Sequence, residues 1–103
     1  MVTELNEDNF KKEIKQGKAI VDFYAEWCGP CQVMKPIFEK VSKEFKDVHF
    51  FKVNVDNAQE AAQMYAVRSI PTVVFLKDGK EVTRFLGVVY EEEFKKKIKE
   101  TFK

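Results

Sequence analysis

Apolar residues follow two rhythms along this chain, and the change from one to the other falls at a single place. Ile20, Val21, Phe23, Tyr24 and Ala25 form a run broken only by Asp22. A short run of branched and aromatic residues predicts a strand covered on both faces. From Val33 onward the spacing becomes helical. Met34, Ile37, Phe38, Val41 and Phe45 return on one side, which predicts a helix over 31–45. Pro36 lies inside it, removes the bond to the Gln32 carbonyl and should bend the axis.

The same rhythms predict the remaining elements. Residues 2–5 read as a short edge strand. Asn6 predicts an N-cap, with Glu7 and Asp8 in the first turn of a helix that carries Phe10 and Ile14 and ends at Gly17. A strand is predicted over 48–55, where His49, the only histidine, reads as an ordinary strand residue. Residues 59–65 read as a short helix, 67–71 as a loop and 72–76 as a strand. Asp78-Gly79 predicts a hairpin turn into a return strand over 81–86. Gly87, Val88 and Val89 then lead to a last helix, where Phe94, Ile98 and Phe102 recur every four residues opposite a solvated face of Lys and Glu. The order β-α-β-α-β-α-β-β-α predicts an α/β domain over 1–103 with helices on both faces of a mixed sheet. Right-handed crossovers put the strand 20–25 in the middle.

Composition narrows the function. A 103-residue chain that is 45% hydrophobic and holds ten Phe has one packed core. A formal net charge of +1 with no separate basic block gives no support to nucleic-acid or membrane-surface binding. No apolar run approaches the roughly 20 residues that span a bilayer. Residues 1–5 show no basic leader followed by an apolar stretch, so a cytoplasmic protein is expected.

The chemistry concentrates where the rhythm changes. Cys28 and Cys31 are the only two cysteines. They fall between strand and helix, beyond the carboxyl end of a central strand, where ligand chemistry sits in such sheets. Residues three apart lie over one another on a helix, so the sulfurs can meet. A helix start offers free N–H groups and its positive dipole end, both of which stabilise a thiolate. Cys28 is therefore expected as nucleophile and Cys31 as resolving thiol. Gly29 and Pro30 suit a tight helix entry and would be poor choices for an inert apolar pair. A closed zinc site needs four ligands, and the chain offers two cysteines and one distant histidine. No metal is expected, and no Gly-x-Gly-x-x-Gly dinucleotide fingerprint is present. Asp22 is an acid in a doubly covered strand, so its pKa should be raised, which suits a general base for Cys31. Trp27, in the loop, is expected to be partly exposed and to shield and dock.

Trp27-Cys28-Gly29-Pro30-Cys31, preceded by Val21-Asp22-Phe23 and followed by Pro36, resembles the thioredoxin family. Ile70-Pro71-Thr72 and Gly87 fall where that family has them, and the resemblance covers nearly the whole chain. It implies the thioredoxin fold: a central mixed five-stranded sheet, three strands parallel plus an antiparallel C-terminal hairpin, flanked by four helices. It implies that Lys52 accompanies Asp22, and that the Ile70–Pro71 bond is cis although the local energetics favour trans. It implies a substrate dock of Trp27, Gly29, Pro30, Ile70, Pro71, Gly87 and Val88, with Ile70 offering its backbone to an extended substrate. The activity implied is protein-disulfide reduction by a monomer without cofactor. Cys28 attacks the substrate, Cys31 resolves the mixed disulfide, and an external reductase reduces the Cys28–Cys31 disulfide again. Three positions depart from the common pattern: Gln32 stands where many relatives have lysine, Tyr24 where many have tryptophan, and Ser69 where glycine is frequent. A binding module without redox chemistry and a metal-carrying dithiol are the rival readings.

Overall fold

The computed structural model describes all 103 residues, as β1 (Val2–Leu5), α1 (Phe10–Glu13), β2 (Lys18–Tyr24), α2 (Gly29–Ser42), β3 (His49–Asn54), α3 (Gln59–Met64), β4 (Thr72–Lys77), β5 (Lys80–Leu86) and α4 (Glu91–Thr101). The strands form one sheet in the order β1-β3-β2-β4-β5, with β2 in the middle as the crossovers require. β3 pairs in parallel with both β1 and β2, while β4 runs antiparallel to β2 and β5 antiparallel to β4. This is the mixed five-stranded, four-helix architecture of the thioredoxin fold.

Alternation along β2 divides the core in two. Ala19, Val21 and Phe23 point to one face and pack with Phe10 and Ile14 and with Ala58, Ala61 and Ala62 around α3. Ile20 points to the other, where Met34, Phe38 and Val41 of α2 meet Phe94 and Ile98 of α4. Because both faces are covered, β2 reads as a continuous apolar run. Phe94 sits among aromatic rings, 5.4 Å from the Phe85 centroid and 5.8 Å from that of Phe38. Truncating such a side chain to alanine costs about 3–5 kcal/mol. By the same period of two, Asp22 falls on the Ile20 face, the face that α2 covers.

Several boundaries differ from the sequence pattern. The first helix starts at Phe10 rather than just after Asn6. Asn6 and Asn9 each accept a hydrogen bond on Oδ1 from the other's backbone N–H, at 3.0 and 2.8 Å, and close a turn that delays the helix. Glu7, expected in the first turn, instead caps α3: its carboxylate accepts the N–H groups of Glu60 at 2.9 Å and Ala61 at 3.0 Å. The second helix starts at Gly29 and stops at Ser42, short of Phe45. Phe102 lies just past the end of α4, half-buried against the α2/α4 core. The Asp78-Gly79 turn is as expected, with φ of +52° and +82°, the left-handed values that a two-residue type I′ hairpin needs.

Candidate active site

Cys28 ends the loop after β2 in extended conformation, and its carbonyl accepts the Gln32 N–H at 3.2 Å, opening α2. Gly29 and Pro30 occupy the first turn, where the N–H that proline lacks has no helical partner to lose. Cys28 and Cys31 are disulfide-bonded, with their Cα atoms 5.2 Å apart. Both are buried, in a small cluster with Ala25 against which Tyr24, Val55 and Ile70 pack.

The two sulfurs have different surroundings. Cys28 Sγ accepts the Cys31 backbone N–H at 3.2 Å and lies 3.8 Å from the Ile70 carbonyl oxygen. A helix-start N–H aimed at the sulfur stabilises it as thiolate once the disulfide opens. Cys31 lines a cavity of about 110 Å³ shared with Asp22, Tyr24 and Lys52, with room for more than one water molecule. Cys28 thus faces the loop before β4, and Cys31 faces the acid.

Asp22 is 5% exposed, and its Oδ1 has no hydrogen-bond partner. Burial pushes its carboxyl up to about 7, against the opposing pull of the Lys52 charge. Lys52 is its register neighbour on β3, but the Lys52 ion pair goes to Glu4, Nζ to Oε1 at 3.8 Å.

The remaining expected residues surround the pair. Trp27 is 72% exposed, and its Nε1 donates to Asp56 Oδ2 at 2.8 Å, which fixes the ring beside the cysteines. The Ile70–Pro71 bond is cis, Ile70 is half-buried and Pro71 is buried. Gly87, at φ +80°, donates its N–H to the Pro71 carbonyl at 2.9 Å, and the half-buried Val88 follows. Ser69 accepts the Thr72 hydroxyl on its carbonyl at 2.6 Å, which needs only backbone, so serine serves there as glycine would. Gln32 is exposed and donates from Nε2 to the Glu26 carbonyl at 3.2 Å, bridging the loop to the helix.

Sequence reasoning missed Glu4, Asp56 and the Tyr24 hydroxyl. The one available signal for Glu4 was the strand register that sets it beside Lys52, and register is not visible before the sheet is assembled. No group of three or more His, Cys, Asp or Glu side chains is placed to hold a metal ion. No helix is long and apolar enough to cross a membrane.

Comparison with known proteins agrees with this geometry. The thioredoxin family model matches residues 1–100. A thioredoxin of Mycoplasmoides gallisepticum is 49% identical over 82 residues, 80% of this chain and 82% of that protein. A thioredoxin of Chlamydia trachomatis is 42% identical over 88 residues, 85% and 86% of the two chains. An H-type thioredoxin of Fagopyrum esculentum is 46% identical over 92 residues, 88% of this chain and 78% of that one. A match of that extent, on a chain whose two cysteines are already bonded at the mouth of a helix beyond a central strand, leads to one conclusion: the chain belongs to the thioredoxin family and is a thiol–disulfide oxidoreductase of the protein-disulfide reductase type.

Proposed function

We propose that Cys28 is the attacking thiol and Cys31 the resolving thiol, with Asp22 as the base that serves Cys31 and Lys52 as the cation that tunes Asp22. The asymmetry of the two sulfurs carries this reading: Cys28 lies against the Ile70 carbonyl, whereas Cys31 shares a cavity with Asp22. The reduced Cys28 thiolate attacks one sulfur of a substrate disulfide. A Cys28–substrate bond forms, the substrate S–S bond breaks, and the first substrate thiolate leaves and takes up a proton. Asp22 accepts the Cys31 proton, directly or through cavity water. The Cys31 thiolate then attacks Cys28 Sγ, and the second substrate thiolate leaves and is protonated in turn. The protein has given two electrons and the Cys31 proton, water supplies the second proton, and the chain is left as the Cys28–Cys31 disulfide.

Trp27, Gly29, Pro30, Ile70, Pro71, Gly87 and Val88 form the docking rim, on which an extended substrate segment pairs with the Ile70 backbone. Substrates are proteins with accessible disulfides, and a separate disulfide reductase restores the dithiol. No cofactor is required, because the sulfur pair holds both electrons. The protein works as a single domain over 1–103, as a monomer in the cytoplasm, with neither nucleic acid nor membrane as partner.

The test is trapping. With a disulfide-bonded peptide as substrate, Cys31→Ser should accumulate a stable mixed disulfide through Cys28, and Cys28→Ser should form none and lose reduction altogether. Trapping through Cys31 in the Cys28→Ser protein, or faster alkylation of Cys31 than of Cys28 in the reduced protein, would reverse the assignment.

A further inference from the structure

Glu4 lies on the edge strand β1, two strands from Asp22, and the steps above do not use it. Register sets Glu4 beside Lys52 and Lys52 beside Asp22, so three charged side chains form a row across β1, β3 and β2. Both Glu4 oxygens are engaged. Oε1 lies 3.8 Å from Lys52 Nζ, and Oε2 accepts the Tyr24 hydroxyl at 2.7 Å. The Tyr24 ring also receives the ammonium, with Nζ 5.9 Å from its centroid. The contacts of Lys52 are therefore Glu4 and Tyr24, while the buried Asp22 Oδ1 beside it has no partner. Left free, a lysine next to a buried unpaired carboxyl would close on it, since the attraction grows as water is excluded. The other charged groups that face this cavity, Glu26 after β2 and Lys35 on α2, are exposed.

We propose that Glu4 is a positioning residue: braced by the Tyr24 hydroxyl, it holds the Lys52 ammonium off the Asp22 carboxyl, so that no cation touches that buried acid. The functional side of this rests on the reading of Asp22 as the base for Cys31. A direct Lys52–Asp22 pair would keep the carboxylate ionised to lower pH and make it a weaker proton acceptor. Glu4 thereby sets the pH at which Cys31 can be deprotonated.

The direct measurement is carbon-13 NMR titration of the Asp22 side-chain carboxyl in the oxidised protein, in wild type, Glu4→Gln, Lys52→Met and the double variant. Glu4 is half-exposed on an edge strand, so Glu4→Gln leaves the core untouched. Glu4→Gln should lower the Asp22 midpoint by about half to one pH unit, because Lys52 turns to Asp22. In the Lys52→Met background the same change should move it by much less, since the effect passes through Lys52. A rise, no shift, or an equal shift in both backgrounds would overturn the proposal. A second readout is the release of nitrothiobenzoate from its mixed disulfide with Cys28. In Glu4→Gln the acidic limb of this release should move down with the titration, giving up to about a threefold gain near pH 6. If the titration moves and the release profile does not, Glu4 still controls the Asp22 proton, and it is the reading of Asp22 as base that fails.

Discussion

At the amino end of β2 the chain meets the β4–β5 hairpin, and polar groups answer one another there. Gly17 donates its N–H to Asp78 Oδ1 at 2.7 Å, Asp78 returns its N–H to the Gly17 carbonyl at 2.9 Å, and Lys18 pairs with Asp47 at 3.1 Å. At the carboxyl end of the same strand an acid is buried with an unpartnered oxygen, and a tryptophan stands exposed beside two sulfurs. One strand thus runs from a self-satisfied turn to an unsatisfied site. The difference shows where stability is conceded. Burying an unpaired carboxyl is costly, and the role proposed for Asp22, taking a proton near neutral pH, is one that such burial suits. The hairpin end has no such task, and its polar groups are free to close on each other.

Changes at the open end should be large and opposite in sign for fold and function. Asp22→Ala should slow resolution of a mixed disulfide by about a hundredfold, the lower range for loss of a general base. It should also stabilise the fold. The native Asp22 holds its proton up to about 7, whereas the unfolded side chain loses it near 3.8, so between these values the native state binds more protons. The Asp22 contribution to wild-type stability therefore falls as pH rises from 3.8 through about 7 and is flat above that. The gain of Asp22→Ala should be roughly 2–4 kcal/mol by about pH 8 and should vanish near pH 4. Urea unfolding at both pH values checks this. A variant less stable than wild type at the higher pH, with unchanged resolution, would contradict the contrast between the two ends.

The closed end should respond the other way. Gly79 takes φ +82°, and a Cβ there would meet nothing closer than 3.7 Å, so strain alone decides the outcome. Gly79→Ala should cost about 1–2 kcal/mol in stability and leave the disulfide reduction rate unchanged. A redox effect from that position would mean that the two ends are coupled through β2.

The smallest effect is expected at Gln32, where charge can be added near the sulfurs without altering them. Coulomb's law at roughly 8 Å, with an intermediate dielectric, allows at most about 0.8 of a pKa unit, and salt should leave a few tenths. The Cys31 N–H that reaches Cys28 Sγ is unchanged by the substitution. Gln32→Lys should lower the Cys28 pKa slightly at low salt and change reduction by less than about threefold. Thiolate absorbance titrated at two salt concentrations measures this. A fall of more than about one unit that persists in high salt would put local charge above the helix start.

By itself, the sequence determined whatever depends on neighbours a few residues apart. The strand–dithiol–helix transition, the two-faced burial of β2, the Asp78-Gly79 hairpin and the raised proton affinity of Asp22 all follow from local spacing and from the kind of residue at each place. The cis Ile70–Pro71 bond came from family resemblance alone, because local energetics favour trans. Tertiary structure decided the pairings that no periodicity encodes. Trp27 reaches Asp56 across 29 residues, and Glu7 leaves its own turn to cap α3. Glu4 reaches Tyr24 across 20 residues and lies beside Lys52 only because β1 and β2 both pair with β3. The physical reason is that a side chain's propensity is fixed by its own chemistry and near neighbours, whereas its partner is fixed by strand order and register, which exist only once the sheet has formed.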